Sequence, residues 1–367
     1  MQNRCDNVAL AHNEYFSVNL EIANLLNNNS HSVMSANLRL VPDSSVDTGQ
    51  SEFAADVIAG LSVKQKSLSP KYFYDAAGSQ LFEEICLTTE YYPTRTEMAL
   101  LHEIAPSLAA MIPSGAVLVE FGSGASDKTR LLLNAAPQIA TYVPIDISAD
   151  ALHGAARRLE SGYPGLQILP VVGDFTTRLR LPAEVTLQPK VGFFPGSTIG
   201  NFTPAQSIAF LSFARSMLGD DAILILGADV VKDEATLLAA YDDAAGVTER
   251  FNKNLLVRIN RELDGNFDLA AFSHAARWNA EHSRMEMHLV SRVDQIVHAA
   301  GHAFAFKTGE SLHTENSHKF TSASIAALAE QGGWMLEQQW ISAAPQFAIF
   351  VLKTAPVAST ISGSQLD

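Results

Sequence analysis

Glycines and carboxylates gather where three apolar runs of this 367-residue chain come to an end. The first run, Val117-Leu118-Val119-Glu120-Phe121, leads into Gly122-Ser123-Gly124-Ala125-Ser126. Glycine at 122 and 124 lets backbone approach a ligand closely, and Glu120 can accept a hydrogen bond or pair with a cation. The second run, Tyr142-Val143-Pro144-Ile145-Asp146, ends in an acid at the position that holds ribose hydroxyls in nucleotide-binding βαβ units. The third closes on Gly173-Asp174-Phe175, an acceptor suited to an exocyclic amine beside a ring suited to pack on a base. Taken singly, such residues are common in ordinary turns and cores. In series, at consecutive strand ends, they describe a pocket for a nucleoside.

What is missing narrows the nucleoside. Ser126 stands where a dinucleotide fingerprint has its third glycine, so the pyrophosphate cradle is incomplete and a dehydrogenase is disfavoured. S-adenosylmethionine carries a cationic sulfonium and no phosphate, which suits acids around a pocket. Lys128, one turn into the next helix, fits the methionine carboxylate or the helix surface equally well.

The elements that must hold these residues alternate. Strands are predicted over 116–121, 141–147, 167–172, 191–194 and 222–226, with helices over 126–136, 148–159 and from Thr203-Pro204 to Gly219. Strand and helix in turn imply a parallel sheet covered on both faces. Apolar residues recur at helical spacing over 51–61, 78–87 and 234–262, and Thr94 with Glu97 reads as a capping box ahead of a helix to Met111. Between 269 and 306 the period is two, with Met285, Met287 and Leu289 on one face and Glu286 and His288 on a wet one. A helix over 322–331 and strands over 334–341 and 347–353 complete the pattern. The fold class expected is therefore α/β, with a second, smaller α+β unit made of two chain segments.

Formal net charge is −14 with no Lys/Arg cluster to offset it, which disfavours nucleic acid and anionic membrane partners. No apolar run approaches the ~20 residues of a membrane span. Met1 to Leu20 lacks the order of a signal peptide, and the use of only Cys5 and Cys86 suits a reducing cytoplasm. The expectation is a cytoplasmic monomer. No metal is expected: His288, His313 and His318 come without a Cys/His quartet or a carboxylate-rich set. Residues 1–50, rich in Asn, Ser and Asp, are expected to be a disordered extension, and 356–367 a flexible tail.

With these residues assembled, the chain resembles the L-histidine N-α-methyltransferases, which make trimethylhistidine (hercynine) as the first step of ergothioneine biosynthesis. The resemblance spans roughly residues 55–353 and rests on long motifs: Ser69-Pro70-Lys71-Tyr72-Phe73-Tyr74-Asp75, Glu90 to Glu97, Glu120 to Arg130, Gly196-Ser197-Thr198-Ile199-Gly200-Asn201, Tyr241 to Thr248, and His313-Thr314-Glu315-Asn316-Ser317. It implies a Rossmann-like methyltransferase with a mostly parallel seven-stranded sheet. In that arrangement 96–230 and 318–355 bind S-adenosylmethionine, and 51–95 with 231–317 binds substrate. By the same resemblance, Tyr91 or its neighbour Tyr92, with Gly122, Lys128, Asp146, Asp174 and Phe175, surrounds the methyl donor. Asn201 and Tyr241 hold the α-amino and carboxylate groups, Tyr74 and Phe82 close the pocket, Glu315 and Ser317 grip the imidazole, and Met287 flanks it. A carboxylate and a hydroxyl suit an imidazole because its two ring nitrogens offer one donor and one acceptor. The alternative substrate is another aromatic amino acid such as tryptophan; behind it stand a non-catalytic nucleoside-binding protein and an NAD-dependent oxidoreductase.

Overall fold

Strand β1, Ala116–Phe121, is buried at every position and forms the centre of the larger sheet. A run this apolar satisfies both of its faces only where each is covered. The faces take alternate residues: Val117, Val119 and Phe121 join one cluster, with Phe210, Ile325 and Trp334. Ala116 and Leu118 join another, with Leu100, Leu132, Tyr142 and Leu159. In the computed structural model the described residues are 49–124, 127–177 and 179–355. The expectations for the tail and for all but Gly49 and Gln50 of the N-terminal extension lie outside them.

The sheet adds β2 (Ile139–Asp146), β3 (Gln167–Ile168), β4 (Val171–Val172), β5 (Lys190–Phe194), β6 (Ile223–Asp229), β12 (Trp334–Ile341) and β13 (Phe347–Thr354). Its order is β12-β13-β6-β5-β1-β2-β3, with β4 also on β2. All neighbours pair in parallel except β13, which is antiparallel to both β6 and β12. The stretch expected as one strand over 167–172 is split into β3 and β4, because Pro170 between them has no N–H for the ladder. β2 and β5 flank β1 on opposite sides, so the strand order reverses there. In open α/β sheets the crevice beyond such a reversal is where ligands bind.

Helices α3 (Tyr92–Met111), α4 (Asp127–Ala135) and α5 (Ala149–Gly162) pack on one face, and α6 (Pro204–Leu218) and α9 (Ser322–Gln331) on the other. α6 has the expected start and stop: a Thr203–Gln206 capping box, Pro204 at its first position and Gly219 at φ 87° after its end. The Thr94–Glu97 capping box does not form. α3 begins at Tyr92, and the Glu97 carboxylate instead accepts from Gly196 N at 2.9 and 3.0 Å.

The remaining elements build a separate apolar cluster from residues between Phe53 and Tyr92 and between Leu237 and Leu312. They are α1 (Gly49–Ser62), α2 (Ala76–Leu87), α7 (Glu234–Tyr241), α8 (Val247–Glu262), a three-stranded antiparallel sheet and a hairpin. The sheet runs β11-β8-β7, from β7 (Phe272–Asn279), β8 (Arg284–Ser291) and β11 (Ser311–His318); the hairpin is β9 (Gln295–Ala299) with β10 (His302–Phe306). The helix expected over 234–262 is two helices, because Gly246 at φ 67° turns the chain before α8. Met285, Met287 and Leu289 are buried as expected. His288 is not on a wet face: it is 4% exposed, stacked on His313 at 4.8 Å. No helix among the described residues is long and apolar enough to cross a membrane.

Gly78, in the first turn of α2, fixes how this unit meets the turn that carries Tyr74. A Cβ there would lie 1.7 Å from Phe73 O, a backbone atom that cannot swing aside. In an unconstrained helix Gly→Ala stabilises by up to about 1 kcal/mol. Here the sign is expected to reverse: Gly78→Ala should lower the thermal midpoint by several degrees, a cost of about 1–3 kcal/mol for overpacking. A midpoint at or above the parent's in a thermal melt would contradict this packing.

Candidate active site

Three strand tips meet at the crevice. Gly122, at φ 75°, donates its N–H to Ile145 O at 2.8 Å, and Gly173 donates to Asp146 O at 2.9 Å, so the tips of β1, β2 and β4 are tied side by side. Asp146 accepts from Ser148 N at 3.0 Å and, more loosely, from Gly124 N at 3.4 Å. Burial raises its pKa, against the pull of these amides. The Phe175 ring covers Gly122: a Cβ there would touch it at 3.4 Å. Phe121 and Phe194 hold that ring at centroid distances of 6.3 and 5.6 Å. Asp174 binds its own turn, one carboxylate oxygen accepting from Thr176 N at 2.8 Å and Thr176 Oγ1 at 2.5 Å. Ser123 brings a buried hydroxyl without a hydrogen-bond partner among the described residues.

Two residues of the first motif find partners within the protein. Lys128 pairs with the fully buried Glu97 carboxylate at 2.5 Å, which also takes the Gly196 amide after β5. Glu120 points into the core, where Thr129 (2.6 Å) and Tyr142 donate to it and tie α4 and β2 to β1. Burial lifts its pKa to about 7 in spite of both donors.

The residues expected around the substrate form a chain of aromatic rings. Tyr74 lies 5.7 Å from Phe82, Phe82 6.0 Å from Tyr91, and Tyr91 6.4 Å from Tyr241, all edge-on. That places Tyr91, not Tyr92, among them. Tyr92 turns away and donates to Asp229 at 2.6 Å. Burial raises the Tyr74 hydroxyl well above its ordinary pKa, and the charges of Glu315 and Asp146 add to the rise.

Glu315 and Ser317 reach the interior through a bulge. In a regular strand, residues 313, 315 and 317 would share a face. The register of β11 against β8 shifts between His313 and Glu315, so His313 pairs with His288, while Glu315 and Ser317 pair with the inward Met287 and Met285. Glu315 is 9% exposed and burial pushes its pKa up to about 7, with Lys319 pulling the other way. Asn201 ends a 3-10 turn, Thr198–Asn201, that is fastened to the same strand, with His318 Nδ1 donating to Gly200 O at 2.9 Å. On the other face Glu286, His288 and His313 bring potential ligand atoms within 4.8 Å of one another, a juxtaposition the sequence reading did not anticipate. Arg284 already pairs with Glu286 at 2.7 Å, and its donation helps bring that carboxyl to about 2 against the effect of burial.

A buried polar cluster behind the rings was not legible. Tyr241 OH donates to Ser317 Oγ at 2.7 Å, and Lys319 Nζ donates to both oxygens at 2.9 Å. Lys319 also pairs with Asp229 at 3.0 Å, and Asp229 with Lys232 at 2.5 Å. Burial by itself would lower the Lys319 pKa, but Tyr241 and Asp229 hold it above its ordinary value. Asp229 is one more acid at a strand tip. The signal was lost because that strand was expected to stop at Leu226, whereas β6 continues to Asp229.

The family model of histidine-specific, SAM-dependent methyltransferases matches residues 53–354. This chain belongs to that family. It is 42% identical to the histidine N-α-methyltransferase of Mycolicibacterium smegmatis over 83% of its length and 95% of the relative's. With the enzyme of the same name from Mycobacterium tuberculosis it shares 39% identity, over the same fractions. A more distant relative, 26% identical over 82% of this chain and 93% of its own, is the 4-dimethylallyltryptophan N-methyltransferase of Trichophyton verrucosum.

Proposed function

We infer that this chain transfers methyl groups from S-adenosylmethionine to the α-amino group of L-histidine. The observation that carries the reading is the buried Glu315 carboxylate facing the same interior as Ser317 and Tyr241, turned there by the bulge from the face that carries His313. Membership of a histidine-specific family supports it. We propose residues 51–95 and 231–317 as the substrate-binding unit, and 96–230 with 318–355 as the donor-binding unit.

The crevice residues fit the methyl donor. Asp146 offers a carboxylate for ribose hydroxyls, Phe175 a ring for adenine, and the glycine turn a close backbone approach. Asp174 retains one carboxylate oxygen beyond its own turn for the adenine amine. Lys128 stands beside Gly196, its charge shared with Glu97. When bound, the donor supplies an electrophilic methyl carbon. The amine lone pair forms the new N–C bond as the C–S bond breaks, S-adenosylhomocysteine leaves uncharged, and solvent takes the ammonium proton before the next round. Orientation carries such a reaction. Asn201 and Tyr241 hold the backbone end of the amino acid, Tyr74, Phe82 and Tyr91 exclude water around it, and Met287 packs along the imidazole.

Incubating the full chain with S-adenosylmethionine and each amino acid in turn, followed by mass spectrometry, is expected to show up to three successive methyl additions on histidine. A methyl gain on tryptophan with none on histidine would replace this assignment with that of the tryptophan-type relatives.

A further inference from the structure

Lys319 is buried at the junction of three elements, and each of its three N–H groups has a partner. They go to Asp229 on β6, Tyr241 on α7 and Ser317 on β11. An ammonium accepts nothing, so neither hydroxyl can turn its proton toward Lys319. Tyr241 and Ser317 bring two hydroxyl protons, and one of them lies in the bond between the two oxygens. The other has to leave the pair. With Tyr241 as donor, Ser317 Oγ accepts twice, from Tyr241 and Lys319, and its own O–H is directed outward.

We propose that Lys319 is a positioning residue for the substrate ring: by donating to both hydroxyls it forces the Tyr241–Ser317 pair to present a proton, opposite the acceptor carboxylate of Glu315. This rests on the reading that Glu315 and Ser317 grip the imidazole. The ring that satisfies such a site is a neutral imidazole, its N–H on Glu315 and its bare nitrogen on the hydroxyl. An imidazolium would set donor against donor, and an indole has no bare nitrogen to offer. Lys319 thereby acts as a specificity determinant without touching substrate.

The test is a double-mutant cycle in the full-length enzyme, using Lys319→Met, Ser317→Ala and the pair, with KM measured for histidine and for S-adenosylmethionine. Each single change is expected to raise the histidine KM about tenfold, and the pair no more than the worse single, because one residue acts through the other. The KM for S-adenosylmethionine should stay within about twofold. Effects that multiply to about 100-fold, or that fall equally on both substrates, would mark Lys319 as merely structural and overturn the proposal. Should Lys319→Met fail to fold, with Asp229 left short of a cation, the same cycle is run in an Asp229→Asn background. A parent enzyme that leaves histidine unmethylated would remove the functional reading and this proposal with it; a parent that methylates histidine with a multiplicative cycle removes this proposal alone.

Discussion

Glu315→Ala is expected to lower kcat/KM for histidine by about 100-fold or more, since a ring N–H would then lose its acceptor in a buried site. The loss should fall on histidine binding, leaving S-adenosylhomocysteine affinity unchanged by calorimetry. Methylation of tryptophan, if any is measurable, should suffer far less; equal losses on both amino acids would sink the assignment. The carboxyl also sets a pH dependence. Its pKa lies near 7, well above the 4.5 of a free glutamate, because burial disfavours the charge. The ionised carboxylate accepts the ring N–H more strongly than the protonated acid does, so histidine binding weakens as pH falls through 7, and Glu315→Gln should flatten the part of that limb that the protein contributes.

Stability runs the opposite way. Between pH 4.5 and 7 the folded state holds a proton on Glu315 that the unfolded chain has lost, so this group's contribution falls as pH rises through that window. Above 7 the ionised, buried carboxylate remains a net cost. Glu315→Gln should therefore melt above the parent at pH 8 and no higher than the parent at pH 4, as thermal scans at the two values would reveal.

Asp146→Ala is the second large effect expected. One half-buried carboxylate at the tip of β2 is the natural partner of two ribose hydroxyls, and charge-assisted hydrogen bonds contribute about 1.5–3 kcal/mol each. The Kd for S-adenosylhomocysteine should rise by about 100-fold or more. Asp174→Ala should cost about tenfold, because one oxygen of that carboxylate is already committed to Thr176. Calorimetric titration decides it: affinity retained within threefold in Asp146→Ala would show that the donor does not bind at this tip.

The meeting of the strand tips was legible because its signals are local. An apolar run that stops at a glycine or an acid reports both a strand and its tip, and a parallel sheet then places successive tips side by side. Gly122, Asp146, Asp174 and Phe175 could be singled out on that logic, and the backbone ties among β1, β2 and β4 follow it. Lys128 was legible only as a position; its ion pair with Glu97 joins residues from separate helices, and Glu97 itself had been assigned to a cap. The choice between Tyr91 and Tyr92 had the same character. Two adjacent tyrosines at the start of one helix differ by about 100° in direction, and only the packed neighbours decide which meets Tyr241 and which meets Asp229.

By itself, then, the sequence determined the parallel α/β core, the strand tips that meet at its crevice, and the motifs that mark family membership. Periodicity and turn chemistry are properties of short windows, and each window carries its own answer. The tertiary structure alone decided which face of β11 carries Glu315, since a register shift at Thr314 reverses the side chains without changing a residue. It also decided that Lys319, Asp229, Lys232 and Tyr92 would meet out of water behind Tyr241. A buried charge is tolerable only beside its partners, and those partners come from distant segments that share no pattern until the chain has folded.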